Sequence, residues 1–422
     1  MPITWNNPEL GVVPRLQPLT LEDMSAQGTK STHMLTMVRD AMLSPTSEKK
    51  APSFTVDQLA ALCGITKQAL AYRLTRRPDL PQGTLGSRGQ GRRFALAEAR
   101  TWVKALRPSP PRPPSQHALV IAVANTKGGV GKTTTSFVLA QGLSRRGYDV
   151  LLVDGDPQGS ATTLCGTVPE TDVDEADTIM PFLAGDQPDL RYAVRKTYWD
   201  GLDLIAANTQ AYAAELYIPA NAVKGRGKLW NQLAPGLAPI RSDVDVIIID
   251  TAPALSYMTI NALFAADGIL IPVPPNALDY AAGAQFWSLF GDLATSLEGF
   301  DGSALKGKTW DFTYVLPTNV DPSSSAYPVV RDWMTRTYGE KIFPAEILKS
   351  KVAETLSAEF ATVYDVTRYE GNAASFARLR DGYDRLCEMM DFTLLSIWQS
   401  RVNQGAKSNE TAEALRPVQA EA

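Results

Sequence analysis

Histidine and cysteine are scarce in this 422-residue sequence, which contains two histidines and three cysteines. So few histidines argue against a histidine-based metal site or catalytic triad. Cys63, Cys165 and Cys387 are far apart and odd in number, so they fit neither a zinc motif nor a disulfide framework. This cysteine usage is typical of a reducing cytoplasm.

Long apolar runs are also missing. None approaches the roughly 20 residues that a membrane-spanning helix needs. The first residues, MPITWNNPELGVV, lack the charged and apolar regions of a signal peptide. The end of the chain, KSNETAEALRPVQAEA, has no apolar face that could be buried in a membrane surface. We therefore expect a cytoplasmic protein without membrane contact.

The net charge of −4 conceals an asymmetry. Residues 51–107 carry ten lysines and arginines against three acidic residues, so this stretch is about +7 and the remainder about −11. A basic module on an acidic chain usually has an anionic partner such as nucleic acid.

A chain of this length usually folds as two or three domains. Five prolines in RPSPPRPPSQ, residues 107–116, exclude helix and paired strand and predict a stiff extended linker. The linker would separate a domain at 51–106 from a larger one at 117–403. Residues 1–50 form an N-terminal extension, and the small polar residues 404–422 are predicted to be disordered.

The extension contains one candidate helix, from Leu21 to Leu43, interrupted by Gly28. Such a helix packs either on a partner subunit, as a dimerisation helix, or on its own domain, and the sequence leaves both open. Its apolar residues are Met24, Met34, Leu35, Val38 and Met42.

Residues 54–78, FTVDQLAALCGITKQALAYRLTRRP, follow the rhythm of a helix-turn-helix. Gly64 supplies the turn and Thr66 can cap the second helix. That helix is basic and suits a DNA major groove. The candidate DNA contacts on it are Lys67, Gln68, Arg73 and Arg76.

The following stretch, SRGQGRRFALAEARTWV, contains a glycine-arginine hairpin and then a helix. It resembles the wing of MerR-like and other winged modules, in which Arg88, Arg92 and Arg93 would contact phosphates. The alternative is a small helical domain whose basic face is merely solvated.

Beyond the linker, apolar strands alternate with helical stretches, which indicates a parallel sheet covered on both faces. The predicted strands are ALVIAVAN, DVLLVDGD, LDLIAAN, VDVIIIDTAP, GILIPVP and FTYVLPTN. Between the first strand and a helix lies TKGGVGKTT, whose glycines let backbone N–H groups converge on phosphate oxygens. The predicted fold is therefore α/β, with a P-loop parallel sheet flanked by helices and preceded by an N-terminal helix and a winged helix-turn-helix domain.

The loop predicts binding of ATP or ADP with Mg²⁺. Lys132 is expected to bind the β- and γ-phosphates, and the Thr133 hydroxyl to ligate Mg²⁺. The predicted cofactor-binding residues in this part of the chain are Lys127, Gly128, Gly129, Val130, Gly131, Lys132, Thr133, Thr134 and Asp154.

Two further strands end in carboxylates. VIIID ends in Asp250, in the place of an acid that holds a metal-bound water. LLVDGDPQ ends in Asp154 and Asp156, which could position the metal and the attacking water. Alternatively, one of these two acids caps the helix after Pro157. The predicted metal ligands are Thr133, Asp156 and Asp250.

Three motifs together, KGGVGKTT, DGDPQG and IIIDTAPA, resemble the deviant-Walker ATPases of the ParA/MinD/Soj group over roughly residues 117–400. In that family the early lysine reaches across a dimer interface to the partner's nucleotide. The resemblance therefore implies an ATP-dependent homodimer with Lys127 acting in trans, water activation by Asp156 and Mg²⁺ contact by Asp250. Lys127, Lys132 and Asp156 are the predicted catalytic residues.

The order of parts is similar to that of the large plasmid-partition proteins, type Ia ParA. This resemblance implies a DNA-segregation ATPase of weak basal activity that coats nonspecific DNA as an ATP-bound dimer. It further implies stimulation by a ParB-type partner, repression of its own operon through operator DNA, and nucleoid association. The alternative is a nucleotide-responsive repressor without a segregation role.

Residue roles in the C-terminal half rest on a looser resemblance. VLPTNVDP occupies the place of the adenine-contacting strand end, which makes Pro317 and Asn319 candidate base contacts. Lys349, Lys351 and Arg368 are candidates for nonspecific DNA contacts, although solvated surface side chains would look the same. A membrane-cycling or iron–sulfur relative is disfavoured, since the chain lacks a terminal amphipathic helix and interface cysteines.

Overall fold

The computed structural model describes residues 18–43, 49–86, 91–108, 110–301, 307–367 and 369–414. The chain divides into two compact units, Met1–Ser47 and Glu48–Ala422. The described part of the first unit contains helix α1 (Leu21–Leu43), which confirms the helix predicted there. Met24, Met34 and Met37 on this helix are exposed. A function in dimerisation stays a prediction.

Residues 51–106, the N-terminal module, contain three short strands and three helices. Gly64, with φ of +64°, lies in the four-residue turn between the first two helices, and Thr66 caps the second of them by accepting a hydrogen bond from Ala69 N. In chain order the elements are β1 (Phe54–Thr55), α2 (Val56–Leu62), α3 (Lys67–Arg76), β2 (Thr84–Leu85), β3 (Arg92–Phe94) and α4 (Leu96–Leu106). Strand β3 pairs antiparallel with both β1 and β2. The helices lie where the sequence predicted them, and residues 87–90 of the predicted hairpin lie outside the described residues.

A seven-stranded sheet forms the centre of the second unit. Its strands are β4 (Leu119–Val123), β5 (Val150–Gly155), β6 (Arg195–Lys196), β7 (Leu202–Ile205), β8 (Val246–Thr251), β9 (Gly268–Val273) and β10 (Phe312–Pro317). Their order is β10-β9-β4-β8-β5-β7-β6, and all pairs are parallel except β6 with β7. All six predicted apolar segments are strands, which confirms the predicted α/β class.

Helices cover both faces of the sheet. They are α5 (Lys132–Arg145), α6 (Ser160–Leu164), α7 (Pro169–Asp172), α8 (Met180–Ala184), α9 (Ala214–Val223), α10 (Leu233–Leu237), α11 (Tyr257–Ala265), α12 (Ala277–Asp301), α13 (Tyr327–Tyr338), α14 (Lys351–Ala358) and α15 (Ala373–Ala414). Within the described ranges, none of the helices combines the length and apolar character needed to cross a bilayer.

The N-terminal module and one face of the sheet share an apolar core. Buried Trp102 of α4 belongs to the same cluster as Phe137 of α5 and Trp398 of α15. The opposite face packs on a second cluster that includes Phe286 and Met334. Residues 48–422 are therefore one compact unit.

Arg100 of α4 and Arg107, which follows α4, fasten the N-terminal module to the carboxyl end of α5. Arg100 is buried, and its guanidinium donates to Ser144 O (2.9 Å) and Tyr148 O (2.8 Å) and pairs with Asp149 at 2.6 Å. Arg107 donates to Arg146 O at 2.6 Å. These arginines add donors to carbonyl groups at the helix end and the following turn, of which Ser144 O also accepts a hydrogen bond from Gly147 N at 2.9 Å.

The proline-rich segment, predicted to be a stiff extended linker, packs against the sheet unit. Its described residues, 107–108 and 110–116, form neither helix nor strand, as expected. However, Pro111 is buried, and Arg112 bonds to Asp245 (3.2 Å) and Ser242 O (3.0 Å). One arginine thus holds the segment against the sheet unit, a contact that proline content cannot reveal.

The predicted disorder from residue 404 onward is also corrected, because α15 continues to Ala414. Residues 404–414, QGAKSNETAEA, include good helix formers, and extending an existing helix costs far less than nucleating one. Residues 415–422 lie outside the described part of the chain.

Candidate nucleotide site

The predicted phosphate loop and acids converge at one edge of the sheet. Parallel strands bring their carboxyl ends together, and β4, β5 and β8 lie side by side in the order β4-β8-β5. Val123, Asp250 and Asp154 are register partners across these strands. Ligands of open α/β sheets bind at this edge.

The loop after β4 ends in an open helix amino terminus. Gly131 has φ of +90° and is the N-cap of α5, a backbone conformation that favours glycine. Lys132 is the first residue of the helix. The first N–H groups of a helix have no internal acceptor and carry partial positive charge, so this terminus suits a phosphate group.

Side chains hold the loop in place on both sides. Asn125 accepts a hydrogen bond from Lys127 N (3.0 Å) and donates to Pro272 O (2.8 Å). The Thr318 hydroxyl donates to Val130 O at 2.8 Å. The loop is therefore fixed by contacts to β9 and to the residue after β10, before any ligand arrives.

The two loop lysines point to different environments. Lys132 is buried, and its ammonium donates to Lys127 O at 2.9 Å. Burial lowers the pKa of Lys132, while Asp250 and Asp156 act in the opposite direction. Lys127 is exposed, and its side chain makes no hydrogen bond or ion pair with any described residue. One lysine thus serves the interior of the loop and the other faces outward.

Asp250, the residue before the end of β8, is fully buried. Its Oδ1 accepts a hydrogen bond from the Ser136 hydroxyl at 2.9 Å, whereas Oδ2 has no hydrogen-bond partner among the described residues. Burial and the neighbouring Asp154 raise the pKa of Asp250 to about 7, although the hydroxyls of Thr133 and Ser136 and the Lys132 ammonium oppose this.

An Mg²⁺ ion would fit this arrangement. The unpartnered Oδ2 of Asp250 is a buried carboxylate oxygen, the type of ligand that Mg²⁺ prefers, and Thr133 offers a hydroxyl beside it. Over the described ranges, no three His, Cys, Asp or Glu side chains cluster as a ready-made metal site. The remaining ligands would be phosphate oxygens and water, as is usual for Mg²⁺.

Asp154 and Asp156 have different surroundings. Oδ2 of Asp154 accepts hydrogen bonds from both Thr162 N and Thr162 Oγ1 (2.8 Å each), and Oδ1 accepts from Asp156 N (3.2 Å). Burial raises the pKa of Asp154 to about 6 despite these bonds. Both oxygens of Asp154 thus hold α6 and the turn before it, as in the capping alternative, and a cofactor contact by Asp154 stays a prediction. Asp156 accepts one bond from Gln158 N (3.0 Å).

Known proteins share these motifs. A family model described as an AAA domain matches residues 118–298. Protein SopA of Escherichia coli K12 is 30% identical to this chain over 341 residues, which cover 80% of the chain and 85% of SopA. The chain belongs to the ParA/MinD/Soj-type partition ATPases.

Two further similarities agree with this assignment. The sporulation initiation inhibitor protein Soj of Bacillus subtilis is 40% identical over 155 residues, 36% of this chain and 57% of Soj. A solved structure named Partition Protein superposes with a TM-score of 0.62 at 16% identity and covers 88% of this chain and 99% of its own. At that identity the structural likeness supports the fold alone.

The two candidate base contacts of this partition ATPase lie beside the phosphate loop. Pro317 is buried at the end of β10, and its carbonyl accepts from Ile347 N at 2.9 Å. Asn319 is exposed, has φ of +49°, and its amide donates to Gly129 O at 3.4 Å. Asn319 thus contacts the loop directly, and base recognition by either residue stays a prediction.

Lys349 and Lys351 are both exposed. They line a cleft of about 690 Å³ together with Asp321 and Arg378. Val320, which follows Asn319 in the chain, also lines this cleft. Contact with nonspecific DNA stays a prediction for these lysines, and Arg368 lies outside the described residues.

The candidate DNA contacts on α3 are accessible to different degrees. Lys67 and Gln68 are exposed, but Lys67 pairs with Asp57 at 3.0 Å. Arg73 is half-buried, and Arg76 is exposed beside the Tyr72 ring, 5.3 Å from its centroid. These side chains leave α3 with a basic outer surface, as the sequence predicted.

The hairpin arginines have partners within the N-terminal module. Arg92 donates to Gln82 O, and Arg93 donates to Ser53 Oγ (2.7 Å) and Ser53 O (3.1 Å). These bonds tie β3 to the segments around it, so the predicted phosphate contacts by Arg92 and Arg93 would compete with them. Arg88 lies outside the described residues.

Sequence reasoning missed Asn125, Ser136 and Thr318. Ser136 carried a usable signal, since it lies four residues after Lys132 and therefore on the same helix face. The contacts of Asn125 with Pro272 and of Thr318 with Val130 had none, because these partners lie 147 and 188 residues away.

Proposed function

We propose that this partition ATPase binds MgATP at the carboxyl edge of its sheet and closes as a homodimer over two nucleotides. The ATP-bound dimer binds nonspecific DNA, and a ParB-type partner stimulates hydrolysis and release. The N-terminal module binds operator DNA and represses the operon of the protein. Basal hydrolysis is weak, because the isolated subunit lacks part of the site.

The observation that carries this proposal is the contrast between the two loop lysines. Lys132 already occupies the interior of the loop, with its ammonium on Lys127 O. Lys127 is exposed and unpaired among the described residues, although its backbone N–H is fixed by Asn125. A lysine held at the rim of its own site, with its side chain directed outward, is suited to the phosphate of a facing subunit.

Charge explains why such a dimer would depend on ATP. The triphosphate brings several negative charges to one helix terminus, and Lys132 with Mg²⁺ neutralises only part of them. A second ammonium from the partner adds stabilisation that exists only in the assembled state. A bound Mg²⁺ would supply further neutralisation of the charge that develops on the phosphates. Thr133 and Asp250 are the residues that would hold it.

In this proposal Asp156 orients the attacking water. It lies at the same sheet edge as Asp250, and its carboxylate acts on the charge of Lys132. Asp156 is nine-tenths buried, so a water held there is partly screened from bulk solvent. Hydrolysis of a phosphoanhydride depends chiefly on positioning and charge stabilisation.

A nucleotide-responsive repressor without a segregation role remains the second candidate. The basic outer surface of α3 favours it, since operator binding alone would account for Lys67, Gln68, Arg73 and Arg76. The two functions differ in their response to nucleotide. A partition ATPase binds random-sequence DNA with ATP and not with ADP, whereas a repressor binds random DNA equally in both states.

Replacement of Lys127 tests the proposal directly. Lys127→Gln is expected to keep fluorescent-ATP affinity within about twofold, yet to lose the dimer that wild-type protein forms with a non-hydrolysable ATP analogue in sedimentation velocity. ATP-dependent binding to random DNA should disappear with the dimer. Lys196→Gln is a matched control, because Lys196 is an exposed lysine of the edge strand β6, where it pairs with Asp203 of β7.

Two results would contradict the proposal. An analogue-induced dimer of Lys127→Gln with undiminished hydrolysis would remove the action in trans. Equal binding of wild-type protein to random DNA in ATP and ADP would favour the repressor.

A further inference from the structure

We propose that Ser136 is a positioning residue for the metal site: its hydroxyl fixes the Asp250 carboxylate so that Oδ2 is presented to Mg²⁺. The inference rests on the proposed MgATP site and assigns a function to a residue outside the phosphate-loop motif. Ser136 would act through Asp250 and would touch neither nucleotide nor metal.

The geometry comes from two elements that are distant in sequence. Ser136 lies on α5, four residues after Lys132, and is fully buried. Its Oγ lies 2.9 Å from Asp250 Oδ1 and 3.0 Å from Lys132 O. Asp250 therefore has one oxygen engaged by α5 and the other without a partner among the described residues.

The single hydroxyl proton of Ser136 determines how Ser136 acts on Asp250. A serine hydroxyl has one proton, so it can donate either to Asp250 Oδ1 or to Lys132 O at any moment. An ionised carboxylate accepts the stronger, charge-assisted bond, so the proton faces Asp250 whenever Asp250 is charged. Because Oδ1 is then held by α5, rotation of the carboxylate is restricted and Oδ2 keeps its direction.

Helix α5 also supplies a matched control. Ser144 is on the same helix and equally buried, and its hydroxyl donates to Gln141 O (3.0 Å) and accepts from Trp199 Nε1 (2.7 Å). Ser144→Ala removes a buried hydroxyl without touching any carboxylate. A general effect of losing a buried serine would therefore appear in both variants.

The experiment measures how much Mg²⁺ the full-length protein needs to bind a fluorescent ADP. Ser136→Ala should raise the half-saturating Mg²⁺ concentration about tenfold, the lower end of what removing a residue that orients a metal ligand usually costs. Its affinity for the nucleotide in EDTA should stay within about twofold of wild type, and Ser144→Ala should match wild type in both. Ser136→Thr keeps the hydroxyl and should retain the wild-type Mg²⁺ requirement even if its extra methyl group lowers stability.

A double mutant shows whether Ser136 acts through Asp250. In an Asp250→Asn background, adding Ser136→Ala should change the Mg²⁺ requirement less than twofold. A full tenfold change there, an unshifted requirement in Ser136→Ala, or equal shifts in Ser136→Ala and Ser144→Ala would each overturn the inference. If wild-type protein itself binds nucleotide without any Mg²⁺ dependence, the proposed MgATP site falls and the inference with it.

Discussion

The two ends of helix α5 face different partners. At its amino end, Gly131 and Lys132 leave backbone N–H groups open toward the candidate phosphate site. At its carboxyl end, Arg100 of the N-terminal module donates to Ser144 O and Arg107 donates to Arg146 O. One helix thus connects the nucleotide loop to the N-terminal module, with one end open for a ligand and the other closed by the chain itself.

Both ends agree with the charge distribution of a helix. The amino terminus carries partial positive charge and favours anions, and the carboxyl terminus carries partial negative charge and favours cations. The difference lies in how each end is specified. A short local motif determines the amino end, whereas pairing between residues 39 and 44 positions apart determines the carboxyl end.

The largest effect is expected at the open end. Lys132→Ala should abolish detectable fluorescent-ATP binding at micromolar protein, because no other buried cation at the loop would meet the β- and γ-phosphates. The fold should survive, because the substitution leaves the apolar core of the sheet unchanged, although Asp250 and Asp156 lose a neighbouring cation. Circular dichroism with a nucleotide titration checks both points. Retained affinity would show that the open end of α5 is not the phosphate site.

The next largest effect is the pH dependence of stability caused by Asp250, the acid beside the open end of α5. The pKa of Asp250 is raised to about 7 in the folded chain, against about 3.9 for an unfolded aspartate. Between these values the folded state holds a proton that the unfolded state releases, so stability falls as pH rises from about 4 to about 7. The contribution of Asp250 to this fall is at most about 4 kcal/mol.

Asp250→Asn removes that titration and should flatten the pH profile. In EDTA without nucleotide, the urea-unfolding midpoint of the variant should rise relative to wild type at pH 7.5 and not at pH 4.5. Asp203→Asn is the control, because Asp203 pairs with Lys196 on the edge strand β6. Parallel profiles for wild type and Asp250→Asn would mean that burial does not hold a proton on this carboxylate.

Most of the open end could be predicted from sequence. Glycine spacing determines the loop backbone, and continuous apolar strands determine a buried parallel sheet, so TKGGVGKTT and VIIID were placed correctly at one edge. The family resemblance assigned water activation to Asp156, but the sequence could not show what Asp154 holds. Asp154 lies on β5 and Asp156 just after it, and the bonds from Thr162 to Asp154 appear only in the structure.

The closed end could not be predicted at all. Counting charges made residues 51–107 strongly basic, which pointed to an anionic ligand for the whole stretch. In the structure Arg100 pairs with Asp149 and Asp200, and Arg107 pairs with Asp391. Sequence gives the number of charges but not which of them form ion pairs after folding. Part of the positive charge of residues 51–107 therefore joins the N-terminal module to the sheet unit and is not free to bind DNA.

The smallest expected effect tests this junction. Arg100→Ala should lower the free energy of unfolding by about 2 kcal/mol, because Ser144 O and Tyr148 O lose a charged donor in a buried place. The loss stays moderate because the paired carboxylates, Asp149 and Asp200, are nearly half exposed and can be rehydrated. Urea unfolding at pH 7.5 measures it.

The control for Arg100 is Arg385→Ala, which removes a half-exposed arginine paired with Glu388 on α15 and should cost less than about 0.5 kcal/mol. Nucleotide affinity separates a junction from a general weakening of the protein. If Arg100→Ala keeps wild-type fluorescent-ATP affinity below the unfolding transition, the two ends of α5 are energetically independent, and the helix only joins them. If affinity falls together with stability, the N-terminal module supports the geometry of the phosphate loop through α5, and the contrast between an open and a closed end becomes a coupling between them.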